Sequence, residues 1–405
     1  MKMKLNYKST ISAGFVGYAT QALTINFPPL LYVTFGAQFG LSLSAISVLI
    51  AVCFLVQLLV DLLATVFSSK MNVRVFITAA HILTATGIAG LGFLPFIMPP
   101  YAGLMIATVV SSIGSGLVEV LITPIVEACP TPPKKKSSYM SLLHSFYCWG
   151  QAVVILLSTV YFSTVGIEHW QVLSVLWAII PISGALLFCI VPLYPLPKDE
   201  PDRNGKSYLG NRIFWVIAIM MLVSGAAEMT MAQWAAAFAE AGLGVSRELG
   251  NLLGPFVFAV LMGSARVFYA KFSTKISLKK FILFSALLCI ASYLVAAFSP
   301  LPIVSLLACG ICGLSVGVLW PGNISNAAGM IRGGGVSMFA LLALFGDFGC
   351  MIGPSIAGSV ADAFGGNIKL SFVISAIFPT ILLVSIIYLI RYSKKQRKAS
   401  QNGNQ

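Results

Sequence analysis

Twelve stretches of mostly apolar residues follow one another along the chain, at approximately 9–35, 43–68, 74–97, 101–127, 139–163, 170–193, 212–239, 250–272, 279–298, 302–330, 335–361 and 369–391. About 20 apolar residues, rising 1.5 Å each, cross the hydrocarbon core of a bilayer. Each stretch therefore predicts one membrane-spanning helix, and the fold class is an all-α membrane protein. The first stretch is too long, and too rich in polar and Pro positions, to read as a cleaved signal peptide. Polar residues collect in short turns, with one longer run, PLPKDEPDRNGKS, from Pro195 to Ser207. Its Pro, Gly and charge content reads as a linker. It divides the chain into an N-terminal six-helix bundle (1–194), a linker (195–211), a C-terminal six-helix bundle (212–391) and a basic tail (392–405).

A repeat supports the same division. The segment from Phe67 to Ile77, FSSKMNVRVFI, is nearly copied from Phe272 to Ile282, FSTKISLKKFI. Each copy joins the second helix of a bundle to the third, which predicts two pseudo-symmetric halves built from the same unit. The shared offset also carries Pro95 onto Pro300 and Asp61 onto Arg266.

Composition agrees: 58% of the 405 residues are hydrophobic and 9% charged, against about 45–50% and about 25% in an average soluble domain. The net charge of +13 raises the question of a nucleic-acid partner, and the placement of the charges argues against one. Lys and Arg gather at the two ends and in the even-numbered turns, whereas the opposite side carries Arg247 and Lys369 and one span holds Arg266. The positive-inside rule then places both termini in the cytoplasm of a multi-pass cell-membrane protein, its basic loops against anionic lipid. The eight cysteines lie in or beside apolar segments and read as small core residues. Cys309 and Cys312 have the spacing of half a zinc site but lack a second pair, so no metal is expected.

Proline interrupts several spans, at Pro28-Pro29, Pro124, Pro255, Pro321 and Pro354. Each removes a backbone hydrogen bond, and these helices are expected to bend. Glycines in the fourth, tenth and eleventh helices, such as Gly114, Gly313, Gly349 and Gly358, read mostly as close-packing positions.

Ionisable groups inside spans carry the candidate chemistry, because a charge at the bilayer centre costs at least about 2.5–3.5 kcal/mol on insertion scales. Glu119 and His144, on the fourth and fifth helices, fall at matched depth beside one hairpin. They make either a proton relay or a fixed ion pair. Glu228 and Asp347, near the midplane of the seventh and eleventh helices, are further proton-coupling candidates. Asp61 and Arg266 read as inter-bundle gating charges or as a static bridge, and Lys70, Arg74 and Lys275 of the repeated loops join the gating set. Candidate substrate-binding positions are the neutral polar groups Gln21, Asn26, Gln233 and Asn323 and the intramembrane Trp149, Trp234 and Trp320, for which ordinary packing is the alternative. Trp170 and Trp215, at span ends, read as interfacial anchors.

Two six-helix halves, a central linker and the basic second-to-third helix loop together resemble the major facilitator superfamily over essentially the whole chain. The loop departs from that family's usual Asp-Arg pattern, with Ser68, Ser69, Asn72 and Arg74 in its place. Glu119-Val-Leu-Ile-Thr-Pro124 is similar to the fourth-helix Glu-x-x-x-Asn-Pro of the fucose permease group, and Leu142-Leu-His-Ser-Phe-Tyr-Cys-Trp-Gly150 to its fifth-helix segment, with His144 in place of Gln. The resemblance implies sugar recognition and proton coupling at Glu119 and His144. The group's first-helix Asp is missing.

The expected function is secondary active transport by alternating access, a proton-coupled uptake of a sugar or similar small polar molecule by a monomer. Efflux of amphiphiles by proton antiport and a transporter-derived sensor are the alternatives. No enzyme constellation and no cofactor motif is present.

Overall fold

The computed structural model describes residues 6–67, 72–195, 207–272, 276–331 and 335–402, and every regular element in them is helical. Twelve spans, labelled α1 to α12 in chain order, fall in two groups of six. The first group comprises α1 (Tyr7–Asn26, extended beyond a break by Tyr32–Phe39), α2 (Leu43–Phe67), α3 (Val73–Leu91), α4 (Pro100–Glu127), α5 (Pro133–Thr164) and α6 (Ile167–Ile190). The second comprises α7 (Arg212–Ala237), α8 (Arg247–Phe272), α9 (Leu278–Phe298), α10 (Pro302–Met330), α11 (Gly335–Ala363) and α12 (Ile368–Asn402). Lys70 and Lys275 lie outside the described residues.

Eleven of these helices are long and apolar enough to cross a membrane by length and composition. The exception is α1, where buried Thr10, Gln21, Thr24 and Asn26 dilute the apolar run. Twelve crossings return the chain to the side on which it began, called here the terminal side.

Local sequence sets the helix ends. Asn6, Asn72, Asn211, Ser246 and Asn367 each accept a backbone N–H through the side-chain oxygen and start a helix as N-caps. The interior prolines act unequally. Pro28-Pro29 turns the first span into a 3₁₀ segment, Pro28–Leu31, and Pro255 sits in a π-helical turn, Leu252–Phe256. Pro124 and Pro354, by contrast, stay within continuous helices. In α10 the helix breaks at Gly317–Val318, ahead of Pro321. A proline ring meets the carbonyl four residues earlier, which here is Gly317.

Each bundle closes through tight helix pairs. In the first, α3 packs on α4 and α6, and α1 on α4 and α5; in the second, α7 packs on α11 and α9 on α10. Glycines permit these approaches: a Cβ at Gly114 would strike the α3 backbone, and one at Gly349 the Leu222 carbonyl of α7. The two bundles meet along α2 against α11 and along α5 against α8.

Candidate functional site

Between the bundles, from the midplane toward the terminal side, lies a cavity of about 200 Å³. The first bundle contributes Tyr18 and Gln21 from α1, Asp61 from α2, Glu119 from α4, and His144 and Tyr147 from α5. Glu228 comes from α7, Arg266 from α8, Trp320 from α10 and Asp347 from α11. Four carboxylates, one guanidinium and one imidazole thus converge from six helices on one space. Phe54, Tyr18, Tyr147 and Trp320 supply aromatic wall.

Tyr18 organises the first-bundle side. Its hydroxyl lies 3.0 Å from Nδ1 of His144 and 3.0 Å from Oγ1 of Thr123, joining α1, α5 and α4 by hydrogen bonds. Thr123 is one helical turn beyond Glu119, and Gln21 stands beside the Glu119 carboxylate. His144 is exposed within this space. Glu119 and His144 form no direct ion pair among the described residues. Tyr18 instead links His144 to Thr123, one turn from Glu119, while the Glu119 carboxylate has Gln21 beside it; sequence reasoning missed Tyr18 and Thr123 because neither carries charge.

On the other bundle, Arg266 is anchored by backbone. Its Nε–H donates to the Gly317 carbonyl at 3.0 Å, the carbonyl displaced from the helix ladder by Pro321. Arg266 faces Glu228 and Tyr147 across the cavity. Among the described residues it makes no ion pair with Asp61, so the repeat-related charges share the cavity without bridging. Gly346 leaves room for the Trp320 ring beside Asp347: a Cβ there would collide with the indole.

Opposite the terminal side the bundles are joined. The Tyr32 hydroxyl donates to Oε1 of Gln233 at 2.8 Å, and Nε2–H of Gln233 donates to the Ile25 carbonyl at 3.1 Å. The Tyr32 and Trp234 rings lie with centroids 5.8 Å apart, while Trp234 Nε1–H donates to the Pro354 carbonyl at 2.9 Å. Beyond them Gly358 admits Ser47 of α2 so closely that a Cβ would collide with its Oγ. A void of about 30 Å³ remains beneath this closure, lined by Tyr32, Cys53 and Gln233 among others.

The structure therefore sorts the expected residues. Gln21, Asp61, Glu119, His144, Glu228, Arg266, Trp320 and Asp347 meet in the cavity. Gln233 and Trp234, expected at the substrate, belong to the closure between the bundles. Three other expected substrate positions also lie outside the cavity lining. Asn26 donates to its own helix at Ala22 and, at 3.5 Å, to the Tyr147 hydroxyl. Asn323 donates to Ser224 within the second bundle, and Trp149 is 39% exposed on α5 beside Gly263. Arg74, expected at the gate, instead caps the end of α6, donating to the carbonyls of Phe188, Cys189 and Val191 at 2.6–2.9 Å. Trp170 is fully buried and donates to Gln38 rather than lying at an interface, whereas Trp215 is 46% exposed.

The sequence matches the family model described as Major Facilitator Superfamily over residues 10–337 and 256–405. No curated protein sequence matches significantly. Among solved structures, a bacterial homolog of the human lysosomal transporter Spinster, inward-facing and occupied, superposes with a TM-score of 0.77 at 14% identity, covering 95% of this chain and 97% of that one. The nucleoside transporter NupG gives 0.70 at 12% identity over 95% and 99% of the two chains. The E. coli fucose:proton symporter FucP gives 0.62 at 17% identity over 94% and 98%. At such identities the likeness is one of fold.

Proposed function

The chain belongs to the Major Facilitator Superfamily and is a membrane transporter; on that footing we propose that it is a proton-coupled carrier of a small polar solute, working by alternating access through the cavity between its bundles. One observation carries this reading: ionisable side chains from both bundles line a single space that is joined shut on the side away from the termini. A solute bound there touches both halves at once, so their relative rocking exposes it to either side in turn. The Lys and Arg distribution supports a cytoplasmic position for the termini, and thus a cavity on the cytoplasmic half.

Glu119 is the coupling carboxylate in this scheme. Its proton passes to or from His144 by way of Tyr18 and Thr123, whose hydroxyls can each donate and accept. Glu228 and Asp347 hold further protons or the solute from the second bundle. Tyr32 and Gln233 form the outer gate. Asp61 and Arg266, with Lys70 and Lys275 of the repeated loops, are assigned the closing contacts of the inner one. A sugar is the cargo that the α4 and α5 motifs imply, and the ionic lining disfavours the apolar amphiphiles of an efflux carrier.

The test uses purified protein in proteoliposomes carrying an internal pH dye. Addition of a transported solute from a panel of sugars and polar amines is expected to move protons with it. Glu119→Gln is expected to abolish uphill accumulation under an imposed proton gradient while sparing solute exchange. Unchanged accumulation in that variant would remove Glu119 from coupling.

A further inference from the structure

Charge and wall chemistry in the cavity narrow the cargo. With Asp61 set aside, Glu119, Glu228 and Asp347 face it against one guanidinium, that of Arg266, among the described side chains. Arg266 spends its Nε–H on a backbone carbonyl. Glu228 is 6% exposed, lines the cavity and makes no hydrogen bond or ion pair among the described residues, the Arg266 guanidinium facing it without reaching ion-pair distance. A buried carboxylate aimed into a space and left without a partner is a costly arrangement unless something supplies that partner.

The remaining walls select what that partner is. Tyr18, Phe54, Tyr147 and Trp320 border the same space. Aromatic faces attract cations through the ring quadrupole, most strongly when the cation is desolvated. Carboxylates beside aromatic faces make the chemistry that recognises an ammonium group, whereas a neutral sugar would use neither the carboxylate charge nor the attraction of the ring faces for a cation.

From this juxtaposition we infer that the transported solute is a small organic cation, a protonated or quaternary amine, with its charged nitrogen held between Glu228 and Asp347 of the second bundle and Glu119 of the first. The inference rests on the transport reading and names the solute class within it. A cation shared between carboxylates of both bundles also draws the halves together on the terminal side, which separate protons on separate carboxylates would not do.

Matched pairs differing only in charge test it: choline against 3,3-dimethyl-1-butanol, and glucosamine against glucose. Binding to the full chain in nanodiscs is followed by calorimetry, with tetraethylammonium as a third cation. At least one cation is expected to bind about tenfold or more tightly than its neutral counterpart. Glu228→Gln is expected to erase that preference, and Asp347→Asn to weaken it, in variants first shown to be monodisperse with wild-type helicity. Equal or better binding of the neutral members to wild type, or no binding of any of the three cations, overturns the inference. So does a charge preference that survives in folded Glu228→Gln. Proton-coupled flux of glucose without cation preference would sink the inference and leave the transport reading standing; tight cation binding without any flux would overturn the transport reading and with it the cation's role as cargo, leaving only a cation-binding site.

Discussion

Tyr18 shows how much a single uncharged side chain can settle. Its hydroxyl ties together α1, α4 and α5 through Thr123 and His144, each at 3.0 Å. Tyr18→Phe keeps the ring against the His144 imidazole but removes both bonds. With each worth about 0.5–1.5 kcal/mol net, the variant is expected to lose about 1–3 kcal/mol, read as a lower midpoint of thermal unfolding. If the hydroxyl also carries the proton, Tyr18→Phe slows proton-coupled uptake while leaving solute exchange near wild type, a split that a purely structural role would not produce. At this scale the sequence was partly legible. Embedded Glu119, His144, Glu228 and Asp347 stand out because a charge in an apolar run is costly wherever it sits. Tyr18 and Tyr147 do not stand out, since tyrosine is unremarkable in a span and their importance comes from neighbours on other helices.

Helices α7 and α11 separate two kinds of glycine. Gly349 and Gly353 press on the α7 backbone inside the second bundle, whereas Gly358 meets both Ser47 of α2, across the bundle interface, and the Trp234 ring of α7. Gly349→Ala is therefore expected to destabilise the bundle by about 1–3 kcal/mol, the usual range for overpacking, seen as a lowered unfolding midpoint. Gly358→Ala strikes the buried Trp234 ring as well as Ser47, so it is expected to lower that midpoint too and, unlike Gly349→Ala, also to push the bundles apart on the far side. Spin labels on the far-side ends of α2 and α11 would then report a population at longer distance. The sequence pattern identified both as close-packing residues but not which partner each faced, because that depends on how the halves dock. Proline was more telling. Pro28-Pro29 and Pro255 distort their helices where they stand, and Pro321 breaks α10 four residues upstream, at Gly317. Pro124 and Pro354 leave no break in their helices.

At the scale of the whole molecule, twelve spans and two halves follow from hydrophobic runs and a repeated loop, since bilayer thickness sets helix length independently of tertiary detail. The closure away from the termini was not legible: Tyr32 and Gln233 are 201 residues apart and meet only once the bundles dock. Tyr32→Phe and Gln233→Leu are each expected to increase labelling of a far-side cysteine by a membrane-impermeant thiol reagent. The double variant should show less than the sum of the two, because both changes remove the same hydrogen bond. Additive effects would mean that the two residues close the far side independently.

The mooring of Arg266 to the Gly317 carbonyl has an electrical consequence. The guanidinium rides with its own bundle through the cycle and is never released with the cargo, so its charge is a permanent part of the moving dielectric. Once Glu119, Glu228 and Asp347 have released their protons, their charge exceeds that of Arg266, and the unladen carrier returns through the field with a negative surplus. One elementary charge crossing 100 mV corresponds to about 2.3 kcal/mol. The empty-carrier step should consequently be voltage-sensitive, and Arg266→Gln should enlarge its transient capacitive current, whereas a cationic cargo that neutralises the surplus should quench it.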